Sequence, residues 1–336
     1  MALKDKHYSE GVLREIVWVS GAVDSFAEAK AVLKRIGHLT LSDSSVWRRK
    51  EEWGERFEAI ESAEREKANT LPKRSDFRRQ VLNATSRIGV SMDGTKVYIR
   101  DEGWKELKVG SSFEIKVYPT WNKEMGEWED LAHAVDNRYV AHLGGPEVFG
   151  QMMWAEAKRR GWEQAVDKEV VGDGAPWIWN LAQEHFYDGQ QVVDWYHATE
   201  HLGEIAKLVH GEGTKTAHRW YNEAQKKLYQ GHAEQIALEV RKMATTHPEI
   251  ADDLGREAGY FENNKRRMQY LEMREEGFVI GSGMVESGCK QFKARFCGPG
   301  MRWNRDGIKR LIPIRASVMG HCFDAMWQVA YNSPPN

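Results

Sequence analysis

Cysteine is scarce in this chain. There are three in 336 residues, Cys289, Cys297 and Cys322. Three thiols build neither a disulfide framework nor a four-cysteine zinc site. Long apolar runs are also missing, and none approaches the roughly 20 residues a membrane-crossing helix needs. The opening stretch, MALKDKHYSEG, has charges with no apolar core after them, so it does not read as a secretory signal. Net charge is nearly absent: 50 Asp and Glu stand against 48 Lys and Arg, a balance of −2. That argues against a uniformly basic nucleic-acid binder and leaves local basic patches open. No low-complexity tract and no internal repeat is visible. These absences point to a soluble, reduced, cytoplasmic protein with no membrane partner.

What is present suffices for a real core. Hydrophobic residues make up 41% and charged ones 29%, too apolar a mix for a disordered chain. The length suits about two domains. Tryptophan is the outlier, with 14 residues, and most of these are expected to fill the core.

Residues 1–80 read as a helical domain. Ser25 is a candidate N-cap for a helix over 26–36, with Gly37 suited to end it. The polar stretch LTLSDSS reads as a turn, and a second helix starts near Val46. Two helices joined by a turn, with Arg48, Arg49 and Lys50 on the second, have the outline of a helix-turn-helix DNA-binding unit. Ordinary helical packing gives the same pattern. Residues 51–67 alternate acid and base, as a solvated helix face does. Leu71-Pro72-Lys73-Arg74 reads as a linker.

The pattern changes after residue 82. Short alternating runs at 88–92, 97–99 and 112–118 predict a three-stranded antiparallel meander, with Asp93-Gly94 as a turn. Pro146 is placed to open a helix. Residues 169–172 and 191–193 read as two further strands, with a helix, WIWNLAQEHF, between them. The chain is then nearly all helical over 196–275. Residues 276–330 resume with a loop and final helices. The order β-β-β-α-β-α-β, insertion, helix predicts an α/β fold with an RNase H-like core. That core is a mixed five-stranded sheet flanked by helices. It is split into 85–195 and 276–330 by the all-helical insertion.

Three acids stand at notable places: Asp93 in SMDG, Asp173 in VVGDG, and Glu286 in GSGMVESG at the start of the last core helix. In α/β sheets functional groups gather at strand ends. An isolated Asp-Gly is most simply a turn, and Asp173 could cap the helix after it. If the three converge, they repel one another and their pKa values rise. A divalent cation removes that conflict. Hard oxygen donors suit Mg²⁺ or Mn²⁺, and two such ions in one active site serve an in-line phosphodiester displacement. No Walker A loop, Rossmann fingerprint or nucleophile elbow is present.

Together SMDGTKV, VVGDGAPWIW, VDWYHATEHL and GSGMVESGCKQFKAR resemble the motifs of DDE transposases. The nearest group is the Kra-type bacterial insertion sequences, within the wider Mutator-like group. The match spans roughly residues 85–315 and lies in the order, spacing and context of the set. The resemblance implies that Asp93, Asp173 and Glu286 are a catalytic, metal-holding triad. The 113 positions between Asp173 and Glu286 would accommodate the family's all-helical insertion. It implies that Asp194 and His197 match a supporting Asp/Cys-x-x-His signature. It further implies end cleavage and strand transfer on DNA, a synapse of at least two protomers, and a place on the bacterial nucleoid. Family members often carry a cysteine-bearing segment upstream, a pattern absent here.

Two features add to this. His197 and His201 share a helix face at i, i+4, a zinc-compatible spacing with no evident third ligand. After Glu286 the chain turns basic, with Lys290, Lys293, Arg295, Arg302, Arg305, Lys309, Arg310 and Arg315 against Asp306 alone. Of these, Lys290, Lys293, Arg295, Arg302 and Arg305, with Arg48 and Arg49 from the amino-terminal part, are the expected DNA contacts. The alternative for Lys290 is an exposed ion pair with Glu286. The rival functions are a transposase-derived non-catalytic DNA-binding regulator and a structure-specific nuclease on the same fold.

Overall fold

A computed structural model describes residues 7–70, 86–122 and 126–333. The expected linker at 71–74 lies outside them. Three helices come first: α1 (Glu10–Ala22), α2 (Phe26–Gly37) and α3 (Asp43–Ala68). Serines open all three. Ser25 Oγ accepts from Glu28 N–H at 3.0 Å, and Ser42 Oγ accepts from Ser45 N–H at 3.1 Å. Because Ser42 caps it, α3 starts before Val46, inside the stretch that reads as a turn. Gly37 is the last residue of α2, and His38 after it takes the left-handed conformation, at φ 51°.

The strands are β1 (Arg87–Ile99), β2 (Gly103–Asn122), β3 (Glu127–His142), β4 (Asp167–Gly172) and β5 (Gln190–Val193). They form one mixed sheet in the order β3-β2-β1-β4-β5. The first three are antiparallel, and β4 and β5 run parallel to β1. Two sequence expectations need correction. Asp93-Gly94 is not a turn but lies within β1, because β2 pairs with β1 continuously from Ile88↔Glu114 to Ile99↔Gly103. Residues 97–99 are therefore the end of β1, not a second strand. The true third strand, β3, hides in the sequence because it is an edge with few fully buried positions.

Between β3 and β5 lie α4 (Pro146–Arg159) and α5 (Pro176–His185). Among the described residues, helices alone fill the stretch from β5 to the last core helix. These are α6 (Trp195–His210), α7 (Lys215–Tyr229), α8 (Ala233–Thr246), α9 (Ala251–Asn264) and α10 (Tyr270–Glu275). The chain closes with α11 (Gly283–Phe296), α12 (Arg305–Met319) and α13 (Phe323–Asn332). No helix among the described residues is long and apolar enough to cross a membrane.

Both faces of the sheet are covered. Ile88, Val90 and Met92 of β1 join the cluster built with α4–α10, while Val97 and Ile99 join that of α11–α13. The switch follows the two-residue period of a strand. Helices α1 and α3 reach into the second cluster, and with α2 they also form a smaller one of Ile16, Val19, Ala29, Leu33 and Val46. In the second cluster Leu13, Val17, Trp53 and Phe57 pack with Phe292, Leu311 and Trp327, and Trp53 stacks on Trp327 at 4.1 Å. Helices α1 and α3 thus share the core of the sheet, while α2 is held on them by the smaller cluster. At Gly54, α3 comes so close to α12 that a Cβ would lie 2.2 Å from the Arg310 carbonyl oxygen.

Candidate active site

Register brings the aspartates together. Met92 pairs with Gly172 across β1 and β4, and Gly172 pairs with Val193 across β4 and β5. The next residues along these neighbouring strands are Asp93, Asp173 and Asp194. Neighbouring strands lie about 4.8 Å apart, so three carboxylates line one end of the parallel part of the sheet. Although Asp93 is inside β1, it stands where the pairing with β4 stops.

The fourth acid comes from α11, which packs on β1 and β2. Glu286 sits in its first turn, and Cys289, one turn on, is buried beside Asp93. Burial pushes the Asp93 carboxyl above the ordinary aspartate range. The charges of Asp173 and Glu286 push it further, while Gly94 N–H (2.6 Å to Oδ1) and the Cys289 thiol oppose the shift. Burial and the facing carboxylates raise the pKa of Cys289, which faces Asp93 as a neutral thiol. Sequence reasoning missed this residue. The signal was available in the i, i+3 spacing of Glu286 and Cys289.

Asp173 is held by its own loop and by the helical insertion. Its Oδ1 accepts from Ala175 N–H at 2.8 Å, so part of the helix-capping alternative is realised. Its backbone carbonyl accepts from the Tyr260 hydroxyl of α9 at 3.1 Å. Gly174 has φ 103°, and a Cβ there would meet the Tyr260 ring at 2.8 Å. Tyr260 in turn stacks on His201 at 3.7 Å, and His201 Nδ1 lies 2.7 Å from Glu257 Oε2. This brace on the second acid had no sequence signal, since α9 lies far along the chain.

Asp194 is buried and fully engaged. It caps α6 by accepting from His197 N–H at 2.6 Å, and its other oxygen accepts from Ser282 N–H. Ser282 Oγ donates to Glu286 Oε1 at 3.3 Å. Asp194 thereby ties the end of β5 to the start of α11 and fixes where Glu286 enters. The His197 side chain is partly exposed, 3.4 Å from Glu200.

The expected cationic surface is smaller than the sequence implies. Arg295 is corrected outright: it is buried and donates to the carbonyl oxygens of Ser20 (3.3 Å) and Asp24 (3.2 Å). Arg315 likewise reaches Gly21 O and Ala22 O, at 2.8 and 2.7 Å. The reason lies in α1, whose last turn has no cation of its own. Arginines from α11 and α12 satisfy its terminal carbonyls and complement its dipole. Arg305 pairs with Glu102 (Nε to Oε1, 2.9 Å), and Arg310 with Glu51 (2.8 Å). Arg49 is half-buried, bonded to Glu52 at 3.2 Å and packed on Tyr8. Arg48, Lys290, Lys293 and Arg302 remain exposed. Lys290 stands 3.7 Å from Glu286 in an exposed pair, the kind worth about 0–1 kcal/mol. Beyond Arg48 the exposed positions of α3 carry Glu55, Glu58, Glu64 and Glu66 against Lys67 alone, a face unsuited to lying along phosphates.

Oxygen donors of this kind suit a hard divalent cation. Among the described residues, no group of three or more His, Cys, Asp or Glu is gathered tightly enough to hold an ion as it stands. The carboxylates converge without closing, and Glu286 is engaged by Ser282 and Lys290. No protein-family model matches the chain, and no curated protein matches it.

Proposed function

We propose that this chain is a DDE transposase that cuts and joins DNA at the ends of an insertion sequence. One observation carries the reading. Asp93 and Asp173 directly follow the last paired residues of adjacent parallel strands, and burial, with the charges of Asp173 and Glu286 added to it, raises the Asp93 carboxyl. Carboxylates driven toward one another at a strand end destabilise an empty site, and divalent cations would relieve that conflict. The strand order 3-2-1-4-5, antiparallel then parallel, supports an RNase H-like core. The resemblance of the four motifs supports the same reading.

Asp93, Asp173 and Glu286 would hold Mg²⁺ or Mn²⁺. Bound there, the ions would supply activation of an attacking oxygen and stabilisation of a leaving one. The chain's own groups do the rest. Asp194 and Ser282 set the entry of α11, Tyr260 steadies the Asp173 loop, and Cys289 orients Asp93. Lys290 and Lys293 would meet phosphates beside the acids. Joining two ends would bring at least two copies together on DNA.

The test is incubation with candidate element ends and Mg²⁺ or Mn²⁺, comparing wild type with Asp173→Ala at nucleotide resolution. End-specific nicks and joined products in wild type, with the rate cut about 10³-fold or more in the variant, are expected. Cleavage without joining would assign a nuclease. Binding without cleavage would assign a regulator.

A further inference from the structure

The segment 297–304 joins α11 to α12 and lies against the far end of β1. Trp303 bridges to Ile99, Arg100 N–H donates to Trp303 O at 2.8 Å, and Trp303 Nε1 donates to Phe296 O at 3.1 Å. Between this segment and the starts of α2 and α3 lies a cavity of about 400 Å³. Phe26, Trp47 and Trp303 line it, with Arg100, Arg295 and Arg302. Its size is that of a small-molecule or cofactor site.

Its walls divide into two kinds. Arg295 is spent on structure: its guanidinium lies 4.7 Å from the Phe26 ring centre and 5.2 Å from that of Trp303, and its N–H groups serve α1. It stiffens an aromatic wall. Arg100 and Arg302 are exposed, and among the described residues neither side chain makes a hydrogen bond or ion pair. Trp47, in the second turn of α3, leaves 46% of its surface in water, with exposed Arg48 beside it. A bare anion would have no use for the indoles, and an apolar peptide none for the guanidiniums. A planar ring carrying phosphate uses both.

The cavity lies toward the other end of α11 from the acids. Arg295 stands nine positions after Glu286, about 14 Å along the helix axis at 1.5 Å per residue. That is roughly four nucleotides of duplex rise. We propose that the cavity captures one unstacked base of the bound DNA, stacked on Trp47 before the Phe26–Trp303 wall. The flanking phosphates would lie on Arg100 and Arg302. The proposal rests on the reading of the chain as an enzyme acting on DNA.

The test is fluorescence anisotropy on the full chain, with a labelled single strand of about 16 nucleotides and its fully paired duplex. Wild type is compared with Trp47→Ala, Trp47→Phe and the double variant Arg100→Ala/Arg302→Ala. Trp47→Ala should weaken single-strand binding about five- to a hundred-fold, the range one base stack supplies, and duplex binding far less. Trp47→Phe should restore most of the loss, and the double arginine variant should weaken both. Unchanged single-strand binding by Trp47→Ala, with wild type binding DNA, overturns the base site and leaves the DNA reading standing. A wild type that binds neither probe overturns both. Competition by free dAMP that matches the oligonucleotide in affinity and needs Trp47 assigns the cavity to a free nucleotide and overturns the strand proposal.

Discussion

At the scale of single residues, Asp93 sets the stability of the folded chain against its proposed role in cleavage. Its folded pKa is raised, so the ionised carboxylate costs the empty protein stability once pH exceeds the unfolded aspartate value. The cost is absent below about pH 3.9 and grows as pH rises through the folded pKa. Asp93→Asn should therefore raise the Tm of the metal-free protein at pH 7 and leave it unchanged at pH 3, while abolishing cleavage. Calorimetry at both pH values checks this, and a lower Tm at pH 7 would refute it. Tyr260→Phe removes only the hydroxyl on the Asp173 carbonyl. We expect cleavage to fall about tenfold with Tm nearly unchanged, since small misplacements near the chemistry are costly. Undiminished cleavage by that variant would remove Tyr260 from the site. The sequence marked Asp173 and Glu286 at their places after β4 and in the first turn of α11. Cys289 and Tyr260 were hidden because their roles depend on tertiary proximity. Arg295 misled because a run of cations does not say which of them face inward.

Among the elements, β4 carries a buried acid at Glu169. It accepts from Val279 N–H at 3.2 Å through one oxygen, and the other has no partner. Burial raises its pKa well above the ordinary range, so stability falls as pH rises from about 4.3 upward. Glu169→Gln should stabilise the fold at pH 8 by about 1–3 kcal/mol in urea unfolding, with no gain near pH 3. A loss at pH 8 would mean that the carboxylate is used. The α3–α12 crossing is equally specific. Gly54→Ala would drive a Cβ into the Arg310 carbonyl and should cost about 1–3 kcal/mol, read as a lower urea midpoint. Element types were mostly readable from periodicity and from the serine and proline start signals. What failed was continuity: Asp-Gly reads locally as a turn, yet β2 pairs straight past it.

For the whole molecule, the amino-terminal helices are the main revision. A helix pair with basic residues reads as a separate DNA-binding domain. Trp53 on Trp327, and Arg295 and Arg315 on the end of α1, join it instead to the core of the sheet. Such contacts join residues nearly 300 positions apart, beyond the reach of a local pattern. A fragment starting at residue 86 would expose Trp327 and Leu311 and strand two buried guanidiniums. It should fail to fold, giving no cooperative thermal transition and aggregating, where the full chain unfolds cooperatively. A soluble, cooperatively folded fragment would restore the two-domain view. In the proposed enzyme Asp93, Asp173 and Glu286 act as one site. Titration with Mn²⁺, followed by the loss of its free electron-paramagnetic signal, tests that directly. Wild type should bind Mn²⁺ in the presence of DNA ends, and Asp93→Asn, Asp173→Asn and Glu286→Gln should each lose that binding. Equal Mn²⁺ binding by wild type and all three variants would contradict the claim.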